Sequence, residues 1–490
     1  MKATIKLISA CFLLLSVSCK EKDLYIFESK SDFPISNDYS ISQEEALANL
    51  AAFVRSNNED TKSLGTYSVS SIIPIRNSPV TKSEQNDNEN ILYVANFDNG
   101  NGYAILSADT RIEYTVLAIT ESGSLSESTI RDAEDLVCRK EMTIYKGYPT
   151  TGPGLFTTPE TGDEVFINPN TFNFTVPDTG DTLVGNFSLE GLETVILPTS
   201  FCISYAMNQI NRQVDTTDAD MGIFGGGGVN TKKMEEHSSE WSDIIKTDNL
   251  LSKFVYWHQD SPFNDLYPER REYLVFGHKE KVSAGCYPLS IAKLLTYFEK
   301  PTDYAIDGHV VDWNMLSSDN LGSDAGKETA ARLLYDISKK CYSLYFYQGT
   351  FTIPRLANRF LRSLGYNNAK SHRYNFGIVK EMIDKRQPLI IFAVPGCDIT
   401  GSHCWVIDGY KIKERSVTRK YYEKGKLVNT VSKQDTCRMV HCDFGWEGRA
   451  NGYYVSGIFR DIQHSVEYDD ANYPLKSDFN NYIHLVKYDL

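Results

Sequence analysis

Gln259, Cys286, His403 and Asp443 stand in that order along the chain, and together they carry the side-chain types that acyl transfer through sulfur requires. That chemistry needs a thiolate, an imidazole to hold and pass the proton, a group orienting the imidazole, and a donor for the oxyanion. The groups must be neighbours in space, not in sequence. Cys286 follows Gly285 and opens a segment in which Leu289, Ile291, Ala292, Leu294, Leu295 and Phe298 recur close to helical spacing. Pro288 sits just inside the start, where its missing N–H costs nothing. A sulfur there meets unpaired N–H groups and the positive end of the helix dipole, which favour a thiolate. An inert, packed thiol accounts for Cys286 alone equally well. His403 in an apolar run reads by itself as core, and Gln259 by itself as a surface hydrogen-bonder.

The elements that must position these groups divide the chain. Ser42-Gln-Glu-Glu45 is a cap-like start before Ala46, Leu47, Leu50, Ala51, Phe53 and Val54, and predicts a short amphipathic helix. Ile91 to Asp109 holds two β-rich runs joined by Asp-Asn-Gly-Asn-Gly, a hairpin signature, and Val116–Thr120 reads as the next strand. A helix followed by meandering strands suggests a small α+β domain over 39–150. Residues 151–236 are rich in Pro, Thr, Gly and Asn, with β-like pieces such as 171–176. Gly225–Gly228 and Lys232-Lys233 there read as exposed linker. From 237 to 490, Lys327–Lys340 and Ile353–Leu364 read as helices, and Pro388–Val394, His403–Tyr410, Arg438–Asp443 and Gly452–Val455 as strands. Helices first and an antiparallel sheet second is an α+β order.

Two stretches resemble known families. Tyr93-Val-Ala-Asn-Phe97, Gly102 to Asp109, Arg111 and Leu117-Ala118 resemble the inhibitory propeptide in front of streptopain-family cysteine peptidases. Roughly 250–460 resembles the peptidases themselves, which have a papain-like fold. Trp257-x-Gln259-x-x-Pro-Phe-Asn264 is similar to the segment carrying the oxyanion glutamine, and Ala284-Gly-Cys286 through Tyr297 to the nucleophile helix. Val311–Leu316 and Leu364-Gly-Tyr366 recur there too. His403-Cys-Trp-Val-Ile-Asp-Gly409 is similar to the histidine strand, and Val440 to Gly448 to a strand that normally reads Asn-Trp-Gly-Trp-Gly.

The resemblance implies an α+β chain: a papain-like cysteine peptidase domain at 237–490 behind a small α+β propeptide domain. It implies the zymogen of an endopeptidase that hydrolyses peptide bonds without a cofactor. Cys286 would be the nucleophile, His403 the proton carrier and Gln259 the oxyanion donor. Asp443 would orient the imidazole, a role that backbone near Phe444 can also fill, and Trp446 would shield it or serve as ordinary core. Ser402 and Thr350 would line the substrate. The partners implied are a protein or peptide substrate and the chain's own propeptide.

Departures from the family pattern leave other readings open. Lys293 replaces a Gln, Ser402 a Gly, Asp443 an Asn and Phe444 a Trp, and the substrate loop is altered around Gln348–Thr352. A transglutaminase-like acyl transferase also uses Cys, His and Asp. An inactive surface-binding lipoprotein fits an altered pocket.

Residues 1–18 read as a signal peptide, with Lys2 and Lys6 ahead of a short apolar run. Cys19, followed by polar residues, resembles a lipid-attachment cysteine, although Leu15 sits four positions before it rather than three. The expectation is a 19–38 tether and a bacterial cell-envelope or secreted protein touching membrane through lipid alone. The 490 residues suffice for more than one core, 41% hydrophobic and 12% aromatic content is that of a globular chain, and a net charge of −14 argues against a nucleic-acid partner. The cysteine spacings predict no disulfide framework. His403-Cys404 and His441-Cys442 invite a zinc reading, but strand neighbours point to opposite faces, so no metal is expected.

Overall fold

Ser42 caps the first helix, α1 (Gln43–Val54), its Oγ accepting from Glu45 N at 3.1 Å, as the Ser-x-x-Glu pattern predicts. The computed structural model describes residues 39–55, 68–76, 90–138, 154–157, 164–167, 172–175, 182–185, 197–220, 232–269, 281–346, 349–394, 403–423, 426–459 and 482–490. α1 buries Ala46, Leu50 and Phe53, a stripe at helical spacing, and lies against the second strand of the expected hairpin and the strand that follows it. The hairpin strands are β2 (Asn90–Phe97) and β3 (Tyr103–Ser107), flanked by β1 (Val69–Arg76) and β4 (Val116–Thr120). Gly102 closes the turn at φ 101°, and a Cβ there would stand 2.2 Å from Thr120 O, so only glycine fits.

Two compact units divide the chain. Of the described residues, the smaller takes in 232–239, 416–423 and 426–435, and the larger takes the rest. In the smaller, Lys232–Ser238 is a strand paired antiparallel with Val417–Glu423. Lys232-Lys233, expected as open linker, therefore lies in a hydrogen-bonded ladder. Gly225–Gly228 lies outside the described residues.

The larger unit is organised on one antiparallel sheet. Its further strands are β5 (Ser242–Lys246), β6 (Asn367–Arg373), β7 (Leu389–Val394), β8 (His403–Glu423), β9 (Lys426–Asp443), β10 (Gly452–Val455) and β11 (Tyr482–Asp489), the outer parts of β8 and β9 falling in the smaller unit. The hydrogen-bonded order is β1-β2-β3-β4-β10-β9-β8-β7-β11-β6, with β5 also on β8. The meander therefore continues into the sheet that carries His403 through one seam, β4 on β10, with Thr120 opposite Gly452 and Ile119 opposite Tyr453.

Helices α2 (Glu127–Cys138) and α3 (Leu197–Asp220) pack on each other beside the meander. α3 falls inside the stretch read as linker. Its first half is buried through Phe201, Cys202, Tyr205 and Ala206, and Phe201 reaches across to Trp405 and Phe459 at 5.9 and 5.8 Å. The same stretch also holds two short hairpins, 154–157 with 164–167 and 172–175 with 182–185. On the His403 side, α4 (Cys286–Phe298) packs on α5 (Asp324–Lys340), and α6 (Pro354–Ser363) and α7 (Phe376–Asp384) complete the α-helices among the described residues. The mixed content and the order of helices and sheet are those of an α+β, papain-like protein.

Candidate active site

Cys286 is the first residue of α4, capped by Gly285 at φ 90° and ψ 141°. The loop ahead of it is pinned from two sides. Ala284 N donates to Gln259 O at 2.8 Å, and Asn264 Nδ2 to Val282 O at 3.2 Å, fixing the 257–264 segment to the nucleophile turn. Thr350 Oγ1 donates to Ser283 O at 2.6 Å, and a Cβ on Gly285 would come 2.9 Å from Thr350 Cβ. Thr350 is half-buried against the nucleophile turn, and Gln259 is half-buried with its backbone tied two residues ahead of Cys286. Ser402 and Cys19 lie outside the described residues.

From Tyr287 to Thr296 every residue of α4 is buried, so the helix cannot shift to re-aim the sulfur without disrupting core. Burial pushes the Cys286 thiol up to about 11, opposed by the backbone N–H groups of Cys404, Tyr287 and Cys286 itself. The Cys404 contact sets the sulfur beside the residue that follows His403. Burial likewise pulls His403 down to about 4, opposed by the Phe444 carbonyl. Both shifts favour the neutral thiol and neutral imidazole in this state.

His403 opens β8, and its Nε2 lies 3.1 Å from Phe444 O. With the proton on Nε2 donated to that carbonyl, Nδ1 is left as the basic nitrogen. The Trp446 indole stacks on the imidazole at 4.6 Å and 25°, and the Phe444 ring stacks on Trp446 at 5.0 Å and 12°. Trp405 lies parallel to the imidazole at 5.9 Å. These rings wall the Nε2 hydrogen bond off from water, which strengthens it.

The Phe444 turn is itself held. Phe444 N donates to Asn451 Oδ1 at 2.9 Å, and Asn451 Nδ2 and Gly445 N donate to Asp443 Oδ1, both at 3.1 Å. Lys293 Nζ donates to Asp443 Oδ2 at 2.7 Å. The Asp443 carboxylate, expected to orient His403, makes its described contacts to Lys293, Gly445 and Asn451, and the described partner of His403 Nε2 is the Phe444 carbonyl. Asp443 thereby faces a lysine buried in α4, a charge that is costly to leave unpaired.

His441 was read only as a zinc candidate. It is buried on β9 with Nδ1 2.5 Å from Asp408 Oδ1 and Nε2 3.4 Å from Glu121 Oε1. The strand signal over Arg438–Asp443 places this histidine without marking its partners, because Asp408 and Glu121 come from distant parts of the chain. Among the described residues no cluster of His, Cys, Asp and Glu is arranged to hold a metal ion, and the thiols of Cys202, Cys286, Cys341, Cys404, Cys437 and Cys442 are free.

Compared with known families, residues 257–454 match the Peptidase C10 family, and residues 38–140 match the Spi protease inhibitor family. Both agree with the resemblance to streptopain-type peptidases and their propeptides. No curated protein matches the chain.

Proposed function

From a chain whose residues 257–454 match the Peptidase C10 family, behind a region that matches the Spi protease inhibitor family, we propose the latent form of a thiol endopeptidase acting through Cys286 and His403. The observation that carries this reading is a cysteine at a buried helix N-terminus whose sulfur meets the Cys404 N–H, next in the strand to a His403 imidazole held by Phe444 O and stacked under Trp446.

The steps follow from those positions. Nδ1 of His403 takes the Cys286 proton, and the sulfur attacks the scissile carbonyl. The oxyanion takes the Cys286 N–H, which no helical bond uses because the first one runs from Leu289 N to Gly285 O, together with the side-chain amide of Gln259. The imidazolium, steadied by Phe444 O, protonates the leaving amine, and water then hydrolyses the thioester. Residues 38–140 block the enzyme until they are cut away. Export through the 1–18 segment and a lipid on Cys19 complete the proposal, since a broad thiol protease is safest kept latent until outside the cell.

The test is hydrolysis of an unstructured protein substrate by the full chain and by its processed form. Cys286→Ala should remove turnover while leaving the fold intact. Persistent cleavage by Cys286→Ala returns the site to an inert core thiol.

A further inference from the structure

The seam between the inhibitor region and the catalytic region is a strand edge with a buried histidine behind it. β4 lies on β10 through backbone hydrogen bonds, and the chain continues past the strand end with Glu121 N donating to Asn451 O at 2.8 Å and Ser122 Oγ to Gly448 O at 2.6 Å. The edge is shaped for a close backbone, because a Cβ on Gly452 would stand 2.3 Å from Ile119 O. Behind it, His441 is 3% exposed and sits between two carboxylates, Asp408 of its own region at 2.5 Å and Glu121 of the inhibitor region at 3.4 Å.

A buried imidazolium needs compensation, and only one of its carboxylates is permanent. The other arrives with β4. We propose that the β10 edge and His441 form a docking surface for an extended strand followed at once by a carboxylate, filled in this chain by β4 and Glu121, and that Glu121 holds the inhibitor region in place. The surface rests on reading 38–140 as the inhibitor of this chain's own peptidase. It adds a second point of control, because the segment that Glu121 and Ser122 grip, Gly448 to Gly452, includes Asn451, which holds the Phe444 N–H in the turn that orients His403.

The charges facing this contact are Asp408 and Lys411 from β8, Lys246 from β5, and the Tyr453 ring edge-on at 5.0 Å from β10. Against its partial burial, Glu121 is held below the ordinary carboxylate range by His441, Lys411 and Lys246. Against its own burial, His441 is held up to about 10 by Asp408 and then Glu121. The carboxylate's contribution is therefore full above its free pKa and lost as pH falls through the lowered value. The imidazolium's contribution is lost only as pH rises through about 10. Docking is tight across the neutral range between.

The experiment uses the full chain carrying Cys286→Ala, so that no self-cleavage intervenes, with and without Glu121→Gln. Glu121 is half-exposed and Gln is its isostere, so the fold is retained. Hydrogen exchange at neutral pH should be roughly tenfold faster at the β4 and β10 amides in the Glu121→Gln chain, and unchanged in α5 and α6. Equal protection at β4 and β10 in both chains overturns the docking role of Glu121. In the active chain the same substitution should bring activity on sooner. A loosened seam with no change in that onset leaves the docking surface standing and overturns the inhibitor reading instead.

Discussion

Lys293 Nζ lies 2.7 Å from Asp443 Oδ2, with both side chains almost wholly buried, so two residues 150 positions apart in sequence form one unit beneath the catalytic turn. Both depart from the family pattern this stretch resembles, Gln in one place and Asn in the other, and here the two departures meet in one ion pair. Lys293→Met strands a buried carboxylate and should cost about 3–5 kcal/mol of stability. Adding Asp443→Asn to Lys293→Gln should recover most of the loss, since neutral groups can satisfy the same Gly445 and Asn451 contacts. Thermal unfolding of the single and double variants measures this. Additive losses in the double variant would mean that the two side chains do not act together.

The stack on His403 sets the next expectation. Burial holds the imidazole down near 4, and Trp446 covers one face of the ring at 4.6 Å. Trp446→Ala opens the ring to water and should raise its pKa toward the ordinary value of about 6.5. The activity should fall about a hundredfold as the imidazole loses its fixed position. Trp446→Phe, which keeps a stacking face, should lose much less. Imidazole NMR titration in the Cys286→Ala chain reads the shift, and no shift would remove Trp446 from the site.

Gln259 presents its amide on a segment tied to the nucleophile turn through Ala284. Gln259→Ala should slow acylation roughly ten- to a thousandfold, the loss expected for one oxyanion donor, and leave unfolding unchanged because the side chain is only half-buried. Single-turnover acylation rates measure it. An unaltered rate would make Gln259 a surface residue.

Much of this architecture was legible in the residues, for reasons that particular elements make plain. The Ser42 cap, the Asn-Gly turn at 99–102 and the apolar run after Cys286 each carry a local signal that the tertiary structure does not overrule. α3 escaped because its apolar residues crowd into its first half among Ser, Thr and Asn, so no stripe runs the length of the helix. The outer parts of β8 and β9 escaped because the alternation there is of polar side chains, which mark no buried face. Lys293 stands out in sequence only as a departure from the family's Gln, and the fold reveals the carboxylate that lets it be buried. His441 was weighed for metal alone, because Glu121 and Asp408 reach it from distant parts of the chain.

The most direct test of the central claim is an active-site titration of the processed chain with a thiol-trapping epoxide, followed by peptide mapping and assay on a protein substrate. The account predicts one equivalent of label, on Cys286, with activity falling in proportion to labelling and neither label nor turnover in Cys286→Ala. Label on another cysteine, or turnover that survives full labelling of Cys286, would contradict it.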